Sequence, residues 1–469
     1  MNDTQYLIPY IKTLSGDRDT PITLYERFVK DSQGFLLESK DPTKGRFSFI
    51  GKSPKSVIKG YGNTLTIING DKEEKLIGQS LELIKDYLSS YKVDNNSNLP
   101  FVGGAVGMIS YDIVKQHENL PSYNPDTLEV PDIHLMIAED LIVYDHFHSQ
   151  VHLVVLGQDS IVGKDSATLK LNNMELILNQ QVKLPVKISY LQQSASSIAE
   201  NLDQYKDQFI EKVKRAKEYI KEGDIFQVVL SQRWCVETNK KSFDLYRQLR
   251  EINPSPYLFY FNFGDYQLAG SSPEMLVEVR GDHVYTCPIA GTRKRGKTAE
   301  EDSALAKDLL NDAKERSEHV MLVDLARNDM GRISKIGTVQ VTDFMKVHHY
   351  SHVMHIVSAV EGIKNESEDS FSILSHFLPA GTLSGAPKIR AMEIIEELED
   401  VKRGPYGGAV GYFSFNGDLD TCIAIRTMII KDNKVYLQAG AGIVADSIPE
   451  NEYEECRNKI QSLVKAIEC

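Results

Sequence analysis

The sequence predicts a protein of mixed α and β structure, and two observations carry that reading. Short runs rich in β-branched and aromatic residues, bounded by turn residues, dominate residues 1–156. From Leu202 onward, amphipathic helical patterns alternate with strand-like runs to the end of the chain. Apolar residues at 41% and charged residues at 25% have the balance of a folded globular chain, which excludes disordered, collagen-like and membrane-embedded classes.

In the first part, Gly34–Ser39, Phe47–Gly51 and Leu65–Gly70 read as strands, and Ser80–Ser90 as a helix with Leu81, Ile84 and Leu88 on one face. Residues 157–200 are richer in Ser, Gln, Asn and Asp and read as a connector. The expected division is therefore an amino-terminal domain over 1–156, a connector over 157–200, and a larger domain over 201–469. That last part opens with a helix in which Tyr205, Phe209, Val213, Ala216 and Ile220 recur at three to four residues. Gly223 ends it, Ile225–Ser231 follows as a strand, and 452–468 is again helical. Gly-Gly-Ala-Val-Gly occurs at 103–107 and again at 407–411, each followed by a β-like run. It reads either as a shared strand design in two half-sheets or as coincidence.

Charge narrows the partners. Fifty-three Lys and Arg against 66 Asp and Glu give a net charge of −13, which disfavours nucleic acid and anionic membranes. An anionic ligand would then need a local cation or a cluster of donors. No apolar run approaches the ~18 residues of a membrane helix, and no basic segment precedes an apolar stretch at the start. Five scattered cysteines with no C-x-x-C spacing read as a reduced, cytoplasmic protein without a zinc site.

Four constellations can carry chemistry. Glu315 and Glu318 lie three apart in the helical context 313–325, and Glu452 and Glu455 lie three apart in the last helix. Residues at i and i+3 share a helix face, so two such faces make either a hard-oxygen site suited to Mg²⁺ or two solvated surfaces. Gly381-Thr382-Leu383-Ser384-Gly385-Ala386-Pro387-Lys388 offers a Ser N-cap and a Pro in the first helical turn. Ala439–Val444 and Pro288–Thr292 are further small-residue turns, which are either ligand loops or ordinary turn chemistry; none is a P-loop or dinucleotide fingerprint. His348, His349, His352 and His355 fall in 347–360, read as one strand with His349 and His355 on one face and His352 opposite. One of them is either a general acid or a satisfied core histidine. Arg426 ends an apolar run and needs a carboxylate, the protein's own or a ligand's. Lys459, in the last helix, is its basic companion.

Taken together, Glu315–His319 continuing to Asp329, Pro-Ile-Ala-Gly-Thr, GTLSGAPK, GGAVGYFS and AGAGIVADSIP resemble the chorismate-utilising enzymes. The similarity is strongest to the large subunits, component I, of anthranilate synthases. It covers about 205–465 and reaches the amino-terminal part through Leu36–Ser39 and Asn253–Tyr257.

The resemblance implies an α+β fold, a two-domain layered sandwich of antiparallel sheets with helices outside. It implies Mg²⁺ bound directly by Glu318 and Glu455 and through water by Glu315 and Glu452, bridging to a dianionic substrate. Gly291, Thr292, Tyr406, Arg426, Gly440, Ala441, Gly442 and Lys459 match positions that contact chorismate. His355 matches a histidine that assists loss of the ring hydroxyl, and Thr382 lies in a motif facing the ring. Relatives that add water carry a Lys where this chain has Gln227; ammonia needs no such base. Aminodeoxychorismate synthases carry a Lys where this chain has Ala290, which has no nucleophile.

The implied activity is that of a lyase: amination of chorismate at C2, loss of the C4 hydroxyl, then elimination of pyruvate to give anthranilate, the first step of tryptophan biosynthesis. No glutaminase constellation is present, so the resemblance implies a hetero-oligomer with a separate glutaminase subunit, component II, supplying ammonia. Glu38, Ser39, Pro256, Tyr257, Leu258, Val410 and Tyr412 match a tryptophan feedback site, with Leu258 standing where many relatives have Met. Two alternatives stay open: aminodeoxychorismate synthase component I, and a non-catalytic protein that binds tryptophan or chorismate.

Overall fold

A computed structural model of the chain describes residues 4–40, 45–180, 202–349 and 353–469. It contains two 12-stranded sheets. The first runs Gly385–Ala386, Gln227–Glu237, Lys434–Ile443, Thr427–Lys431, Gln267–Ser272, Tyr257–Asn262, then Gly34–Glu38, Phe47–Lys52, Asp140–Asp145, Gln150–Gly157, Gln5–Ser15 and Tyr91–Val93. Its pairs are antiparallel except the last, which is parallel. The second runs Ile289–Lys294, Val353–Ile363, His283–Thr286, Met275–Arg280, Leu419–Ile423, Ala409–Ser414, then Gly104–Ile109, Ile133–Ala138, Ser56–Tyr61, Thr64–Asn69 and Lys72–Ile77. Gln340–His349 pairs with Val353–Ile363 beside this path.

Strands from before residue 157 and after residue 201 thus share both sheets. They join at two places. Tyr257–Asn262 lies against Gly34–Glu38 in the first sheet, and Ala409–Ser414 against Gly104–Ile109 in the second. The second junction is where the repeated Gly-Gly-Ala-Val-Gly falls, with Gly411 directly opposite Gly107. A Cβ on Gly107 would lie 2.1 Å from the His134 carbonyl oxygen, and one on Gly411 2.0 Å from that of Asp420. Backbone approach, not turn geometry, fixes glycine there.

The alternation of side chains across a strand separates two cores. Phe35, Phe49, Phe259 and Phe261 point into a cluster with Val106, Ile137 and Val277 of the second sheet. Their neighbours Leu36, Ile50, Leu258 and Tyr260 point the other way, against helices that contribute Leu24, Phe209, Leu245, Tyr453 and Ile460. The result is the layered α+β arrangement expected from the sequence. Among the described residues, no helix is long and apolar enough to cross a membrane.

Three local expectations change. The described part of 157–200 contains the helix Ile161–Leu178, capped by Ser160, whose hydroxyl accepts from the Gly163 N–H at 3.0 Å. It buries only Ala167, Leu171, Met174 and Leu178, a single narrow stripe that composition hid. The histidine-rich stretch is not one strand but two antiparallel ones, ending at His349 and resuming at Val353. Register, not alternation along one strand, therefore sets its neighbours: His348 opposes His355 and His349 opposes Met354. His352 lies outside the described residues. Ser384 is not an N-cap either. Its hydroxyl donates to the Ala380 carbonyl at 3.0 Å, because Gly385–Ala386 first pairs with Gln227–Val228, and the helix Lys388–Leu398 begins only after Pro387.

Candidate active site and effector cavity

The strand Gln227–Glu237 lies beside Lys434–Ile443, with Val229 opposite Gly442 and Ser231 opposite Gly440. Gly440 and Gly442 keep this surface low. A Cβ at 442 would come within 2.6 Å of the Gln227 side-chain nitrogen, and one at 440 within 3.0 Å of the Tyr406 hydroxyl. Ala441, between them, turns its methyl into the helical core, so only its main chain faces this surface.

The basic groups arrive from two directions. The Lys459 ammonium donates to the Gly440 carbonyl at 2.9 Å and pairs with Glu455 at 2.7 Å. Arg426 holds a left-handed backbone, φ 51°, which is costly for a non-glycine residue. Its guanidinium donates to the Lys459 carbonyl, and burial lowers its pKa. Among the described residues it has no carboxylate ion pair. Of the two options open at the sequence level, a ligand carboxylate is the one this geometry leaves room for.

On the second sheet, His355 opposes Thr292. Its Nδ1 lies 2.9 Å from the Gly291 carbonyl oxygen and 3.1 Å from the Thr292 hydroxyl. A carbonyl only accepts, so Nδ1 carries the proton of the neutral ring. Burial lowers the pKa of this histidine, opposed by the Gly291 bond, and Arg426 nearby lowers it further. Gly291 sits at φ 66°, and a Cβ there would be 3.2 Å from a Glu315 carboxylate oxygen.

The two glutamate pairs lie on the helices Ala313–Ile333 and Pro449–Glu468. Burial raises the pKa of Glu318, and the charges of Glu315 and Glu455 raise it further. Burial also raises that of Glu452, with Glu455 adding to the effect. The pairs therefore share one electrostatic neighbourhood. Glu315 is 3.5 Å from Arg293. The Glu318 carboxylate has no hydrogen bond or ion pair among the described residues. Among the described residues, no group of three or more His, Cys, Asp or Glu side chains converges there as a ready-made metal cage. Mutually repelling carboxylates with only oxygen donors do fit Mg²⁺, which binds through one or two carboxylates and keeps waters or substrate oxygens for the rest.

A group the sequence reading missed completes the site. Glu274 follows the strand Gln267–Ser272, and its carboxylate accepts from the Thr382 hydroxyl at 2.9 Å. Burial raises its pKa to about 7, against the lowering effects of Thr382 and Lys459. The loop carrying Thr382 folds over a small cavity that Glu274, Cys287, Leu325 and Asp329 also line. A lone Glu between two strands has no spacing signal, so only the fold reveals it.

The positions expected to bind tryptophan come together elsewhere. Glu38, Ser39, Pro256, Tyr257, Leu258, Val410 and Tyr412 line one cavity between the sheets, with Phe47 and Phe49 adding apolar wall. The Glu38 carboxylate is already engaged by the protein. It takes both prongs of Arg250, at 2.7 and 2.8 Å, and the Tyr246 hydroxyl at 2.7 Å. Of the two other acidic side chains at the cavity wall, Glu278 pairs with Arg280, and Asp420 accepts from the Tyr257 hydroxyl at 2.9 Å.

Comparison with known proteins gives this geometry its class. Residues 33–465 match the family model described as chorismate binding enzyme. Anthranilate synthase component 1 of Acetivibrio thermocellus is 50% identical, with 98% of this chain and 95% of that protein covered. The component 1 protein of Thermus thermophilus is 43% identical, covering 98% of each. A crystal structure of anthranilate synthase component I from Streptococcus pneumoniae superposes with a TM-score of 0.79 at 40% identity, covering 91% of this chain and 93% of that one. The menaquinone-specific isochorismate synthase of Escherichia coli, at 19% identity and a TM-score of 0.70 over 97% of this chain and 94% of that one, shares the fold. The chain belongs to the chorismate binding enzyme family, and within it to the anthranilate synthase component 1 group.

Proposed function

We infer that the chain is a lyase that converts chorismate and ammonia to anthranilate and pyruvate. Anthranilate synthase component 1 relatives that match nearly the whole chain support this reading. The single structural observation that carries it is the convergence of Arg426, Lys459 and the Gly440–Gly442 surface with the His355 and Glu274 groups. Arg426 and Lys459 suit the carboxylates of a dianion. Gly291, Thr292, Tyr406 and the 440–442 main chain form the rest of the substrate surface.

Glu318 and Glu455 would hold Mg²⁺ directly, with Glu315 and Glu452 acting through water. The ion would neutralise substrate carboxylate charge against an acidic protein. The nucleophile forms a C–N bond at C2 while the C4 hydroxyl leaves as water. Glu274, with a pKa of about 7, is the group best matched to protonating that leaving oxygen near neutral pH. His355, held neutral by burial, sets its Nδ1 against the Thr292 hydroxyl and serves in proton exchange. Loss of the C2 proton then breaks the C3–O bond of the enolpyruvyl ether as the ring becomes aromatic, and protonation of the enol's methylene carbon gives pyruvate. Gln227, lying against Gly442, supplies no base for water, which favours ammonia.

Ammonia would come from a separate glutaminase, component II, in a cytoplasmic hetero-oligomer. The cavity at Ser39, Tyr257 and Tyr412 would take tryptophan as feedback inhibitor, with the amino-terminal part serving that regulation. The purified chain, given chorismate, Mg²⁺ and ammonium, is expected to form anthranilate, read by fluorescence and mass, and to be inactive with glutamine alone. Isochorismate or 4-amino-4-deoxychorismate as the product would overturn the reading.

A further inference from the structure

Arg403 is buried, at 2% exposure, one turn beyond the helix Lys388–Leu398. Nothing in the site as described uses it. Its guanidinium grips Glu399 through Nε at 2.9 Å and Nη2 at 2.5 Å. The remaining donors reach two main-chain carbonyls: Val229 at 2.7 Å and Leu383 at 2.6 Å. Val229 stands two residues from Gln227, and Leu383 follows Thr382. The same guanidinium lies 5.7 Å from the Tyr406 ring centroid. Glu399 in turn accepts from the Ser231 N–H and hydroxyl, each at 2.8 Å, and Ser231 opposes Gly440.

One ion pair therefore holds the strand that carries Gln227 and Ser231, the latter opposite Gly440, together with the Thr382 loop, and lies beside Tyr406. A buried pair is a poor source of net stability, because desolvation offsets the attraction. What it fixes is geometry: the planar fork of Arg can hold a carboxylate and two carbonyls at once, which a Lys ammonium on a flexible stem cannot. We propose that the Arg403–Glu399 pair is the positioning element of this active site, setting Gln227 and Thr382 relative to each other and to Tyr406. Arg403 acts through these groups and does not itself touch substrate. The proposal rests on the active-site reading above.

The test compares Arg403→Lys and Glu399→Gln with the unmodified chain. Steady-state rates are measured with chorismate and ammonium varied separately. Hydrogen exchange by mass spectrometry follows peptides covering 225–231 and 380–386. A misplaced catalytic group costs up to about 100-fold in rate. Arg403→Lys is therefore expected to lower kcat about 10- to 100-fold, with the chorismate KM within about threefold, and to speed exchange in those two segments while 257–262 stays protected. Glu399→Gln, which leaves both carbonyl bonds in place, is expected to lose less.

The proposal is overturned if Arg403→Lys keeps kcat within twofold and wild-type exchange in both segments. It is also overturned if exchange rises throughout the chain, as for a merely structural residue. Should Arg403→Lys fail to fold, Glu399→Gln decides: a kcat loss with exchange confined to the two segments supports it, and unchanged values of both refute it. If the unmodified chain makes no anthranilate, the functional reading falls while the exchange arm still judges the positioning.

Discussion

The carboxyl of Glu274 sits in a pocket that favours its protonated form and raises its pKa to about 7. In the unfolded chain a glutamate releases its proton near 4.3, so between those values the folded state holds the proton more tightly. Stability tied to this group is thus present at low pH and lost as pH rises through about 7. Glu274→Gln removes that cost and is expected to raise Tm at pH 8 but not at pH 4. The same variant is expected to lose about 10²–10⁴-fold in kcat, together with the alkaline limb of the kcat profile. An unchanged limb in the variant would assign the proton to another group. The glutamate pairs give a second test. Glu318→Gln removes a carboxylate that has no hydrogen bond or ion pair among the described residues, so Mg²⁺ titrated calorimetrically into the chain with chorismate is expected to bind at least tenfold more weakly. Glu315→Gln, whose carboxylate already faces Arg293, is expected to show a smaller shift. Equal Mg²⁺ affinity in all three proteins would remove Glu318 from the site.

At the level of elements, what could be read from the sequence depended on whether the signal was local. The helix Ser80–Ser89 announced itself through Leu81, Ile84 and Leu88, all buried. The Gly-Gly-Ala-Val-Gly repeat was visible but its meaning was not, because pairing between residues 107 and 411 is a long-range fact. The histidines failed for the same reason: period-two alternation is correct within a strand and silent about where a strand turns back. In GTLSGAPK the local capping signal lost to pairing with Gln227–Val228. Of the candidate site, residues within strong motifs were legible, whereas Glu274 and Arg403 owe their place entirely to what surrounds them. The repeat yields its own prediction. Gly107→Ala would drive a methyl against the His134 carbonyl on a central strand, where no side chain can yield. Overpacking of this kind costs about 1–3 kcal/mol. A lowered midpoint in urea, with anthranilate formation per folded molecule retained, is the expected result.

Across the whole molecule, the cavity proposed for tryptophan and the proposed substrate surface are joined by two continuous stretches of chain. Val410 and Tyr412 line the cavity, and Tyr406 lies four residues before Val410. Cys422 also lines it, and Arg426 lies four residues further on. Each stretch thus has one end at each site. The cavity itself is where the two parts of the chain meet, between Leu258 and its register partner Glu38 in one sheet and Val410 and its partner Met108 in the other. A ligand filling it would bias how the sheets sit on one another, and Tyr406 and Arg426 would report the change. Packed interfaces of this kind switch between discrete arrangements. Coupling of about 1–3 kcal/mol is typical, a shift of roughly 5- to 150-fold in apparent affinity. Because the Glu38 carboxylate is committed to Arg250 and Tyr246, its role is to hold the strand, and the ligand's amino group must find its partner elsewhere on the wall. Ser39→Phe is then expected to fill the cavity without touching that ion pair, relieving tryptophan inhibition at least tenfold while leaving the rate without tryptophan within about twofold. Glu38→Gln is expected to lower Tm as well as inhibition, since it breaks a buried bidentate bond. Chorismate titrations at several tryptophan concentrations, run on both variants and the unmodified chain, separate the two roles. Equal inhibition of Ser39→Phe and the unmodified chain would place the effector site somewhere else.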